Sequence, residues 1–96
     1  MTKEQILQFI KKHPLIFSPN TTEVITKEKT YYGFFQDFHD YMELQQENKW
    51  RFIPNENAIA FQKEHGETKI NNPVHSIIIN GGDITSISLK SPTVRT

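Results

Sequence analysis

Polar and apolar positions change period along this chain, and each change marks an element. From residue 3 the apolar Ile6, Leu7, Phe9 and Ile10 share one helical stripe. Thr2 followed by Gln5 fits a capping box, Lys11 and Lys12 suit the negative end of a helix dipole, and Pro14 forces an end near His13. A helix over 3–12 is predicted. Ser18-Pro19-Asn20 then breaks the chain before a strand-like period begins at Thr22. Val24 and Ile25 are bracketed by polar residues, Lys27-Glu28-Lys29 turns the chain, and the β-rich run 30–38 forms the second arm of a hairpin. In that arm Tyr32, Phe34, Gln36 and Phe38 lie on one face, with Tyr31, Gly33, Phe35 and Asp37 on the other. Aromatics on both faces imply a bent strand serving two packing surfaces, as in a small closed barrel. Gly33 marks a bulge or sharp bend in it.

Residues 41–44 read as a further short strand, and 50–53 as an apolar run ending at Pro54. Asn55 is a plausible cap, Ala58, Ile59 and Phe61 give an inward face and Gly66 a stop, so a helix over 56–64 is expected. Strands follow over 75–80 and 84–89, joined at Gly81-Gly82, where glycine would relieve a positive φ. Residues 91–96 carry no periodicity and read as a disordered tail. The expected class is α+β: an N-terminal helix, then a small, strongly bent antiparallel barrel with a short inserted helix.

With 96 residues the chain has room for one domain, placed at 1–90. Eleven basic and eleven acidic side chains cancel, which removes the general basic field that nucleic-acid binding exploits. Seven Phe, three Tyr and one Trp supply enough large apolar surface for a folded core. The absence of cysteine excludes a disulfide framework, a thiolate nucleophile and cysteine-based metal sites, and makes the cytoplasm the expected location. No stretch has the length of a signal-peptide core or of a membrane span, so neither export nor a membrane partner is expected.

Catalytic patterns are missing: no GxSxG, no phosphate-cradling GxxxxGK[ST], no GxGxxG and no HExxH. No enzyme, metal or cofactor is expected. His13, His39, His65 and His75 are scattered; His39 between Asp37 and Asp40 could form a carboxylate–imidazole pair on the surface. Trp50 and Phe52 share a strand face and read as core, with Arg51 pointing outward. The functional alternative is an exposed platform of Trp50, Tyr41 and Arg51, since aromatics with arginine mark binding hot spots and base stacking.

Helix, hairpin with a glycine-containing bent arm, third strand and a final glycine-linked pair is an order that resembles the Sm-like fold, with SH3-type barrels as relatives. Gly33, Phe35, Phe38, Tyr41, Met42 and Leu44 resemble the first Sm motif, although its Asp position holds His39 and its Asn position Glu43. Ile77-Ile78-Ile79-Asn80-Gly81-Gly82 resembles the second, with Asn80 in place of Arg. The likeness covers about 1–46 and 74–89 and leaves 47–73 as an insertion. It implies rings built through the last two strands and single-stranded RNA held in the pore. The departures weaken the RNA part: Glu43 cannot donate, and Asp37, Asp40, Glu43 and Glu47 repel phosphate. The expectation is a non-enzymatic binding or assembly module that self-associates through edge strands, with Sm-like RNA binding as the alternative. Its candidate surface comprises His39, Tyr41, Glu43, Trp50, Arg51, Asn80 and Gly81.

Overall fold

The computed structural model describes residues 1–70 and 72–89; the expected tail at 91–96 lies outside them. Helix α1 (Lys3–Lys12) forms where the stripe predicts, with both halves of the capping box made. The Gln5 N–H donates to Thr2 Oγ1 at 3.1 Å, and the Thr2 N–H to Gln5 Oε1 at 2.9 Å. A 3-10 turn at Pro14–Phe17 drops Ile16 into the core. Strands β1 (Thr22–Thr26), β2 (Thr30–Phe35), β3 (Lys49–Pro54), β4 (Ile77–Asn80) and β5 (Ile84–Leu89) follow, with α2 (Tyr41–Gln46) before β3 and α3 (Asn55–Thr68) directly after it.

The five strands make one antiparallel sheet in the order β4-β3-β2-β1-β5. Its two edge strands are consecutive in the chain, joined only by the 3-10 turn Gly81–Asp83. In a flat sheet they would lie roughly 19 Å apart, four spacings of about 4.8 Å. The step from Asn80 to Ile84 covers at most roughly 14 Å fully extended. The sheet therefore curls until its edges approach at that end. β4 and β5 do not pair with each other, so the expected closed barrel is replaced by a curled, open sheet.

Curling gives the sheet two unlike faces. Inside, Val24, Phe35, Trp50, Phe52, Ile79, Ile84 and Ile87 come from all five strands and meet Ile6 of α1 and Ile16. Outside, Phe34 and Ile53 pack with Phe38 and with Ala58 and Phe61 of α3. Phe34 and Phe35, neighbours in sequence, thus enter different cores, as alternation in the second arm requires.

Several expectations change. The second arm ends at Phe35 rather than 38; the Gln36 N–H makes one more bond to the Arg51 carbonyl at 3.3 Å, and the chain then turns so that Phe38 reaches the outer core. Residues 41–44 form part of α2 and not a strand, because Met42, Glu43, Leu44, Gln45 and Gln46 are strong helix formers. The helix expected at 56–64 runs through Gly66 to Thr68, where Lys69 in the left-handed region (φ 61°) ends it. The strand expected from 75 starts at Ile77, after a 3-10 turn at Pro73–His75. Neither Gly81 nor Gly82 has a positive φ; Gly81 is needed because a Cβ there would strike the Asn48 side chain. Gly33 likewise marks close approach, since a Cβ would meet the Ile53 carbonyl, and the register shift of the sheet falls at Ile25/Thr26 instead. The segment 47–73, an insertion relative to the Sm-like pattern, supplies the interior strand β3, which lies between β4 and β2.

Candidate functional site

β3 decides where the expected surface residues go. Alternation sends Trp50 and Phe52 inward and Arg51 and Ile53 outward, so Trp50 and Arg51 never share a surface. Trp50 is 2% exposed and meets the half-buried Tyr41 of α2 edge-on at 6.2 Å. The Trp50–Tyr41–Arg51 platform is therefore not assembled; the core reading of Trp50 holds. Burial, with Asp37 nearby, raises the Tyr41 pKa.

Arg51 is consumed on the outer side. Its Nε donates to Asp40 Oδ1 at 3.0 Å and its Nη2 to Asp40 Oδ2 at 2.8 Å, while Nη1 donates to Ser76 Oγ at 2.9 Å. The guanidinium also lies over the Phe38 ring at 5.8 Å. The hydrogen bond from Arg51 holds the Asp40 carboxyl below its ordinary range, against a smaller opposing effect of burial. One side chain thus ties together the loop before α2, strand β3 and the entry to β4. Asp40, one of the two carboxylates that flank His39, is held by this fork; His39 and Glu43 are both exposed.

Asn80 and Gly81 belong to a second junction, centred on a residue the sequence reading did not single out. Asn48 follows α2 at φ 57°. Its Oδ1 accepts the Trp50 indole N–H at 2.9 Å, its Nδ2 donates to the Met1 carbonyl at 3.0 Å, and its own carbonyl accepts the Gly81 N–H at 2.7 Å. Asn80 is exposed and its Oδ1 accepts the Gly82 N–H at 3.0 Å, which fixes the turn between β4 and β5. The Met1 amino group donates to the Gly81 and Ile84 carbonyls at 2.9 and 2.6 Å. A local signal for Asn48 existed, an Asn between a helix-forming run and a strand. Asp40 and Ser76 had none, lying 11 and 25 residues from Arg51.

A third cluster pins the return from α3. Glu64 Oε1 lies 2.7 Å from His75 Nε2, and Glu64 Oε2 accepts from Asn72 Nδ2 at 2.8 Å. Those contacts, the Asn72 bond first, lower the Glu64 pKa. Among the described residues no group of three His, Asp or Glu could hold a metal ion, and no helix is long and apolar enough to cross a membrane.

Two shallow clefts flank α3. One of about 360 Å³ lies between Tyr31, Tyr32 and the start of α3; the other, about 350 Å³, has Phe17, Phe34, Phe61 and His65 in its walls. Polar side chains line both, Lys29, Asn55 and Glu56 in the first, where Asn55 Oδ1 is buried without a hydrogen-bond partner among the described residues, and Gln36, Gln62 and His65 in the second. The sheet edges are more distinctive. β4 (IIIN) and β5 (ITSISL) contain no Lys, Arg, Asp, Glu or Pro, the residues with which natural proteins commonly blunt an unpaired edge. Ile78 on the outer face of β4 is 48% exposed. Compared with protein-family models, curated proteins and solved structures, the chain matches none.

Proposed function

We propose that this chain is a non-enzymatic assembly module that joins further copies of itself through the edges of its curled sheet. The observation that carries the reading is the pair of edge strands without a charge or a proline, one of them displaying Ile78 to solvent. Among the described residues no strand pairs with the outer sides of β4 and β5, and such a row of N–H and C=O groups on uncharged strands is a template for another strand. We also propose kinship with Sm-like and SH3-type barrels; strand order and the three-residue step between edge strands favour it. The alternative, RNA binding, has fewer free cations than the sequence offers: Arg51 is engaged by Asp40 and Lys49 pairs with Glu47 at 3.2 Å, which leaves Lys27 and Lys29 of the four grouped cations.

Light scattering across a concentration series tests this reading. A mass at a multiple of 11.3 kDa is expected. A monomer at every concentration overturns it. Fluorescence anisotropy with uridine-rich and adenine-rich single strands addresses the alternative. Binding tighter than about 1 μM at physiological salt, well beyond ordinary non-specific affinity, would put RNA first.

A further inference from the structure

We infer that the unit of assembly is a two-fold dimer in which β5 pairs antiparallel with β5 of a second copy, centred on Ile87. This rests on the self-association reading above and specifies its edge, its symmetry and its register.

The choice follows from what each edge can pair with when faced with itself. In an antiparallel pair, opposite residues must point to the same side of the sheet, so a strand can meet its own copy only in registers that bring inner residues to inner and outer to outer. For the four residues of β4 such a register pairs at most three, either 77–79 or 78–80. β5 is longer. With the axis at Ile87, Ile87 meets Ile87 and Ser86 meets Ser88, and Thr85, the residue left over where β5 shifts register against β1, comes opposite Leu89.

Ile87 then meets Ile87 on the inner face and Ser86 meets Ser88 on the outer, and exposed Thr85 against half-buried Leu89 is the one unlike pair. Ile87 and Leu89 project into the inner core, and the Ile87 pair would join the two cores across the axis. Ser86 and Ser88 point outward, where their partners on β1 are Ile25 and Glu23, and facing hydroxyls form favourable cross-strand pairs. No like charges meet anywhere in this register. Moving the axis to Ser86 would instead set buried Ile84 against exposed Ser88. The start of the strand is also taken, since the Ile84 carbonyl accepts from the Met1 amino group, which leaves 85–89 as the available edge. A self-complementary strand gives an isologous, closed contact and stops at two copies.

The register predicts which residues face each other, and charge placement tests it. In Ser86→Lys with Ser88→Lys, each introduced ammonium faces another across the axis. In Ser86→Glu with Ser88→Lys, each carboxylate faces an ammonium in both halves. Sedimentation equilibrium of the full chain is expected to give a dimer for the natural sequence, a monomer for the double-lysine variant, and a dimer again for the mixed variant. Far-ultraviolet circular dichroism and the unfolding midpoint of each variant show that its fold is intact. If the natural chain is monomeric, the assembly reading itself fails. If it is oligomeric but larger than a dimer, or the mixed variant dissociates as the double-lysine one does, the β5 register fails while assembly through another edge stands.

Discussion

The Trp50 indole donates to Asn48 Oδ1 at 2.9 Å, two residues away across the start of β3. That geometry exists because Asn48 adopts φ 57°, a left-handed conformation that Asn tolerates better than most residues. It gives the buried indole its polar partner and holds the β4–β5 turn through the Gly81 N–H. Asn48→Ala should lose about 2–5 kcal/mol, combining an orphaned buried donor at about 1–3 kcal/mol with left-handed strain of about 1–2. Asn48→Gly keeps the backbone and should lose less. Urea unfolding of both variants checks the order; an alanine variant as stable as the natural chain would remove the junction from the account.

Gly81 fails or survives with the same residue. A Cβ at 81 would overlap the Asn48 amide, so Gly81→Ala should destabilise strongly alone. Combined with Asn48→Ala, whose side chain leaves room, the loss should fall short of the sum by about 0.5–3 kcal/mol, the usual size of coupling between touching residues. Additive losses would mean that Gly81 is needed for another reason.

Local signals explain what was readable from sequence. The capping box at Thr2 and Gln5, and the alternation that separates Phe34 from Phe35 and Trp50 from Arg51, act within a few residues, and α1, β5 and the two-faced sheet follow from them. Residues 41–44 misled because Tyr41 and Leu44 are also good strand residues, while helix-forming Glu43, Gln45 and Gln46 and the demand for Asn48 at a helix end decided for α2. The Arg51–Asp40–Ser76 fork was invisible because its partners meet only once β3 is placed between β2 and β4. For the same reason the candidate surface dispersed: Trp50 went to the core, Arg51 to an ion pair, and Asn80 to its own turn.

The two cores should be separable. Phe61 anchors α3 on Phe34 and Phe38, with ring centroids 6.2 and 5.9 Å away, and touches no member of the inner cluster that holds Trp50. Phe61→Ala should cost about 3–5 kcal/mol, yet the near-ultraviolet dichroism of Trp50 should persist wherever the variant remains folded. Ile59 on the same helix is 79% exposed, so Ile59→Lys should stay within about 0.5 kcal/mol. Loss of the Trp50 signal together with helix content at partial unfolding would show one cooperative core instead.

Asp40 makes stability depend on pH in a defined direction. The Arg51 fork lowers its folded pKa below the unfolded value of about 3.9. Its contribution is therefore complete above about pH 4 and is lost as pH falls through the lower folded pKa, where the protonated acid no longer offers Arg51 a charge. Asp40→Asn keeps the shape but never carries that charge. At pH 7 it should be less stable by about 1–2 kcal/mol, a value suited to a charge-assisted hydrogen bond between partners 18% and 23% exposed. Below the folded pKa of Asp40 the two proteins should converge. Arg51→Lys should recover little of the contribution, because an ammonium cannot reach both carboxylate oxygens and Ser76 Oγ in the planar arrangement seen here. Urea midpoints of the natural chain and Asp40→Asn, measured from pH 7 down to about 2.5, decide it: a gap that stays constant over that range would mean that Asp40 contributes through packing and not through charge.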